Sequence, residues 1–153
     1  MILLPVPTAE AINILNLPAE LASNPVFEEH AALVLAQIEA LVDPDAYVLA
    51  TTEGDEDPSP ALQVAFRFGF AFLLLASVAE FLNLKTLGEG IVKTIGLDSS
   101  ATQLLTGAEI QEFKKALTTR ALKALDPHLN EEGLALLAAS QTTPSGRVRV
   151  ALI

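Results

Sequence analysis

Apolar residues recur along this chain at helical spacing for most of its length. In "NPVFEEHAALVLAQIEALV" they stand at Phe27, Val34, Ile38 and Leu41, with Ala31 between, on one face of a 3.6-residue wheel. Glu28, Gln37 and Glu39 fall elsewhere on that wheel. Asn24 is placed to cap this helix, Pro25 suits its first position, and Glu28 and Glu29 complement its positive end. The pattern stops near Val42, at "DPDAY". A shorter helix is expected before it, through "AEAINIL", capped by Thr8 and ended by Asn16 to Pro18.

The next periodic segment, Ala61 to Leu84, is apolar nearly all round and begins behind Ser59 and Pro60, a cap followed by a first-turn proline. It can extend about 36 Å at 1.5 Å per residue, and neighbouring helices should surround it on most sides. Its uncharged core, Phe68 to Ala79, is twelve residues, bracketed by Arg67 and Glu80. A membrane span needs roughly 20 apolar residues, so a buried core helix is the expectation and a membrane insertion the alternative. A further helix is expected in "LTGAEIQEFKKALTTRALKALDP", where Thr106 and Glu109 have capping-box spacing. Ile110, Phe113, Leu117, Ala121 and Leu125 form its buried stripe, and Asp126-Pro127 ends it. "NEEGLALLAAS" adds a shorter one.

Two segments break the helical pattern. "TTEGDEDPSP" gathers Glu53, Asp55, Glu56 and Asp57 with a glycine and two prolines, and reads as a solvated connector. "TTPSGRVRVALI" alternates Arg147, Val148, Arg149 and Val150 after a Pro-Ser-Gly turn, a strand pattern. A lone strand leaves its backbone groups unsatisfied. Its obvious partner within the chain is "GIVKTI"; between chains, it can add to a neighbour's edge.

Composition sharpens this picture. The 153 residues suit one domain, and with 51% hydrophobic residues but only 5% aromatic ones the core is built of Ala and Leu, which favours helix over a β-sandwich. There is no cysteine, so disulfides and thiolate metal sites are excluded. His30 and His128 lie far apart in sequence and read as surface or helix-end imidazoles. The amino terminus lacks a positive region and its apolar run is too short for a signal peptide. Of the net charge of −10, residues 1–66 carry −11 and the remainder +1. No cluster of Lys and Arg suggests nucleic-acid reading, which depends on displacing counterions.

The most suggestive stretch is "LKTLGEGIVKTIG", with Gly88, Gly90 and Gly96 around Lys93-Thr94. A phosphate loop needs four residues between its glycines and Gly-Lys-Ser/Thr opening a helix; here Lys-Thr precedes the last glycine and "LDSSATQL" follows. The dinucleotide fingerprint also fails, because Lys93 stands where its third glycine belongs. The glycines instead permit a turn at the ends of a short extended arm. The paired acids Glu28-Glu29 and Glu131-Glu132 suit helix starts better than general acid–base work, and the acidic connector lacks the oxygen spacing of a calcium loop. Ser59, Ser77, Ser99, Ser100, Ser140 and Ser145 lack a nucleophile-elbow context. No catalytic residue, cofactor or metal site is expected.

In order, the chain reads short helix, helix, acidic loop, long buried helix, glycine-rich arm, capped helix, terminal strand. Through "PTAEAINILNLP", "LKTLGEGIVKTIG" and "LTGAEIQEFKKALTTRALKAL", this order resembles the head–tail adaptor (connector, or neck) proteins of tailed bacteriophages. The resemblance implies a mainly α fold: a single helical adaptor domain over 1–153, with an arm or hairpin at about 85–98 and a C-terminal strand tail at about 144–153. It implies a non-enzymatic ring, twelve-fold in the virion neck and built in the host cytoplasm, between a portal protein and the next neck or tail-completion protein. DNA would pass through it without specific binding. Arm and tail would make the contacts: Gly88, Gly90, Ile91, Val92, Lys93 and Ile95, with Arg147, Val148, Arg149 and Val150. Ile91, Val92 and Ile95 are expected to matter more for assembly than Lys93 does for any ligand. The acids of the connector (Glu53, Asp55, Glu56, Asp57) would face the lumen, where an acidic wall repels phosphate. The alternative is a small all-α binding or regulatory module with a pocket among Phe66, Phe68, Phe70 and Phe72.

Overall fold

The computed structural model describes residues 2–85, 92–94, 102–104 and 107–142. Among them are six α-helices: α1 (Thr8–Ile14), α2 (Val26–Leu41), α3 (Pro44–Thr51), α4 (Pro60–Lys85), α5 (Gly107–Leu125) and α6 (Glu131–Thr142). Short 3-10 helices cover Ala19–Ser23 and Asp126–His128, and two three-residue strands, β1 (Val92–Thr94) and β2 (Thr102–Leu104), lie between α4 and α5. The expected mainly α bundle around a long central helix is the observed architecture.

Local chemistry sets the helix ends. The first helix begins one residue earlier than expected: Pro7 is its cap residue, the Pro7 carbonyl accepts from the Ala11 amide at 3.0 Å, and Thr8 is already helical and makes no side-chain cap. Asn16, at φ 55°, ends that first turn of the fold in the left-handed region, which Asn tolerates better than most residues. Asn24 Oδ1 accepts from the Val26 amide at 3.1 Å, so Asn24 does cap α2, with Pro25 at the boundary. Ser59 Oγ accepts from the Leu62 amide at 3.3 Å and so starts α4.

One element is missing from the sequence reading. "DPDAY" stops α2 but also starts α3: Asp43 Oδ1 accepts from the Asp45 amide at 3.2 Å, and Pro44 takes the first helical position. The acidic connector is correspondingly shorter, from Thr52 to Ser59.

The core runs through the whole bundle. Phe27, Val34 and Ile38 of α2 are buried as the periodicity requires, and Ala31 and Leu41 are half-buried beside them. From α5, Ile110, Phe113, Leu117, Ala121 and Leu125 are buried together with Leu122. Between them lies α4, whose Phe66, Phe70, Leu74, Leu75 and Val78 are almost wholly enclosed. Gly69 lets α5 approach: a Cβ there would lie 2.6 Å from Leu125 Cγ. Leu3, Leu4 and Val6 are also in the core, and the amides of Leu3 and Leu4 both donate to the Ala50 carbonyl.

The long helix is less completely surrounded than its composition suggests. Val64 (56% exposed) and Phe68 (39%) form an outward stripe, and Phe81 is exposed near its far end. By length and composition Pro60–Phe81 is able to cross a membrane, but 61% of its most apolar window is buried by the other helices.

Candidate functional site

Two features stand out from the bundle: the ribbon between α4 and α5, and a groove on the bundle's side. In the ribbon, β1 and β2 run antiparallel, with Val92 opposite Leu104, Lys93 opposite Gln103 and Thr94 opposite Thr102. The strand expected in "GIVKTI" is present at Val92, Lys93 and Thr94, and it pairs with Thr102–Leu104, inside "LDSSATQL"; the C-terminal tail expected as its partner lies outside the described residues. A partner this near in sequence closes only a short loop, which costs little chain entropy. Among the described residues each strand has one partner. Of the residues expected to make subunit contacts, Gly88, Gly90, Ile91, Ile95, Arg147, Val148, Arg149 and Val150 lie outside the described residues, as does Thr106 of the expected capping box. Glu109, the other member of that box, is 8% exposed in the first turn of α5, where the positive helix end favours a carboxylate.

Glu53, Asp55, Glu56 and Asp57 are exposed on the connector between α3 and α4. The four phenylalanines of the expected pocket, Phe66, Phe68, Phe70 and Phe72 of α4, do not face one common space. Phe66 and Phe70 are fully buried, Phe72 packs half-buried against the core, and Phe68 faces outward with its ring centroid 6.1 Å from that of Phe72. Spaced two apart on a helix, they point to different sides.

The groove lies further along α4, between it and α2, α5 and α6, with a volume of about 520 Å³. Its floor is apolar, from Leu41, Leu73 and Ala76, and three exposed side chains from three helices stand around it: Leu33 of α2, Phe81 of α4 and Leu136 of α6. Its polar groups come in two sets. Ser77 Oγ and His30 Nδ1 share a hydrogen bond of 2.7 Å across α2 and α4, and the His30 ring lies against Phe81 with centroids 5.1 Å apart. Across α4 and α5, Glu80 Oε1 accepts from Gln111 Nε2 at 2.7 Å and meets Lys114 Nζ at 3.5 Å. A smaller hollow between α5 and α6 shares Thr118 and Leu136 with the groove and continues it past Lys115.

The Ser77–His30 pair has the separation of a nucleophile and its base. Ser77 sits in mid-helix, however, where neighbouring amides serve the helix's own hydrogen bonds rather than a developing oxyanion. The arrangement is that of a satisfied polar pair in an apolar wall. Among the described residues no three His, Asp or Glu side chains gather as metal ligands. The other histidine, His128, follows the end of α5 with its ring centroid 5.7 Å from that of Phe66.

The groove was missed in sequence because its parts stand at positions 30, 77, 114 and 136. One signal was present: Ser77 is the single polar side chain in the run Phe68–Ala79, and a hydroxyl there requires a partner. Comparison with known protein families, with characterised proteins and with solved structures finds no match.

Proposed function

We propose that the protein is a non-enzymatic structural adaptor that forms a ring between the portal and the tail of a tailed bacteriophage, with DNA passing through the centre. The observation that carries this reading is the two-stranded ribbon inserted between the two longest helices, α4 and α5. A two-stranded ribbon satisfies only its inner backbone groups by itself, and an outer edge can pair with another chain. Around it, α1, α2, the acidic connector, α4 and α5 follow in the order by which the sequence resembles the phage connectors, with α3 added before the connector. An acidic amino-terminal part, with no Lys or Arg before Arg67, supplies a lumen wall that phosphate does not adhere to.

Electron microscopy of the purified protein, alone and mixed with a portal-type ring, tests this. Rings, or decoration of the portal ring, are expected. A monomer that also fails to bind the portal ring overturns the reading. The groove supports a second reading, a small binding module, because its volume is within the range of small-molecule sites between bundle helices. A rise in melting temperature with apolar small molecules, without self-assembly, would favour the module.

A further inference from the structure

We propose that the groove between α2, α4, α5 and α6 receives the outer face of α3 from a second copy of the chain, giving a head-to-tail contact. The proposal rests on the ring reading and names the surfaces that would build it. On α3, Ala46 and Ala50 turn inward, while Val48 and Leu49 are adjacent and outward, 55% and 53% exposed. Carboxylates flank them: Asp43 and Asp45 on one side, and Glu53 just past the helix end, all exposed. This element is therefore an aliphatic knob in an acidic setting.

The groove offers the complement. Leu33, Phe81 and Leu136 form an apolar rim around a floor of aliphatic side chains, in a volume ample for a valine and a leucine side chain. Its α5 side is basic: Lys114 is half-exposed, and Lys115 is exposed beside the hollow that continues the groove. Glu80 offsets Lys114 in part, and among the described residues Lys115 stands beside it to meet the α3 carboxylates. The other outward apolar stripe, Val64 and Phe68 on α4, lacks this complementarity, since Arg67 beside it pairs with Glu10 at 3.3 Å. Knob and groove are different surfaces, so their contact is heterologous, the kind that closes into a ring when the rotation between copies allows it.

The absence of native cysteine makes the contact directly testable. Leu49→Cys and Leu136→Cys are made as separate full-length proteins, mixed and oxidised. Both positions are exposed, and circular dichroism checks that helix content is kept. A mixed disulfide dimer is expected, well above the homodimer formed by either variant alone. In a second arm, Lys115→Glu should weaken self-association at least about tenfold by sedimentation, and mixing it with Asp45→Lys should restore association between the two variants. Assembly without the mixed disulfide and without an effect of Lys115→Glu overturns this contact and leaves the ring reading standing. A chain that stays monomeric at every concentration also overturns it, and the ring reading then rests on portal binding alone. Leu49→Cys homodimers as abundant as the mixed species would show a symmetric α3 contact instead and overturn it as well.

Discussion

Gly69 and Gly133 hold backbone approaches that no other residue permits, and they differ in what they face. A Cβ at Gly69 would meet the tip of Leu125, a side chain that can give way, at 2.6 Å. A Cβ at Gly133 would strike the Leu41 carbonyl oxygen, which is backbone and cannot. Gly69→Ala should therefore cost about 1–3 kcal/mol by overpacking, and Gly133→Ala more, despite alanine's better helix propensity. Denaturant unfolding of both variants checks the order. Combining Gly69→Ala with Leu125→Ala should cost less than the two changes added, because the second removes the atoms that the first strikes. Tyr47 offers a second test at this scale. Its phenol is pushed above the ordinary value of 10.0 by burial, with Glu39 adding to the effect. The sign follows: the folded state holds its proton more tightly than the unfolded state, so this contribution to stability is intact below pH 10 and is lost as pH rises through the folded value. As the only tyrosine, in a chain without tryptophan, it can be followed by phenolate absorbance. Tyr47→Phe should flatten the alkaline loss of stability.

Among the elements, Asn130 joins α2 to α6. Its Nδ2 donates to the carbonyls of Ala40 and Val42, at 2.9 and 3.2 Å, satisfying groups at the end of α2. Its Oδ1 accepts from the Gly133 amide at 2.9 Å, capping α6, and its own amide donates to the Leu41 carbonyl at 3.0 Å. The Asp43 amide donating to the His128 carbonyl at 2.8 Å closes the same junction from the α3 side. Asn130→Ala should cost about 1–3 kcal/mol, since it removes a cap and leaves part-buried carbonyls unserved. Asn130→Asp should restore the cap while leaving the α2 carbonyls without their donor, and so fall between the two in thermal unfolding. Nothing in "HLNEEG" reveals the link to α2, because its partners are ninety positions away. By contrast α2, α4, α5 and α6 were legible, since each is long enough for the 3.6-residue pattern to repeat. The third helix was not, because Asp43-Pro44 is both a stop for one helix and a start for the next. Chain order alone does not separate these roles in a helix of eight residues.

At the scale of the whole molecule, the candidate site divides in the same way. The ribbon was legible as a strand-like break among helices, because "GIVKTI" carries the β-branched residues and "LKTLGEG" the glycines. Its partner was not, since three residues, Thr102–Leu104, are too few to show a period. The groove was illegible because it exists only once four helices are packed. This division makes the ribbon separable from the bundle by mutation. Proline at Val92 removes a backbone amide from β1 and is poorly tolerated inside a strand. On the adaptor reading the ribbon serves a neighbouring chain rather than the bundle, so Val92→Pro should shift the melting temperature by less than about 3 °C, corresponding to a cost near 1 kcal/mol for a chain of this size. Ring formation, or binding to a portal-type ring, should nevertheless be lost, whereas Lys93→Ala, which keeps the backbone ladder, should assemble normally. Negative-stain class averages of the two variants, beside their thermal melts, give the comparison. If Val92→Pro unfolds the bundle, the ribbon belongs to the core; if it assembles as well as the parent, the ribbon edge is not where the chains meet.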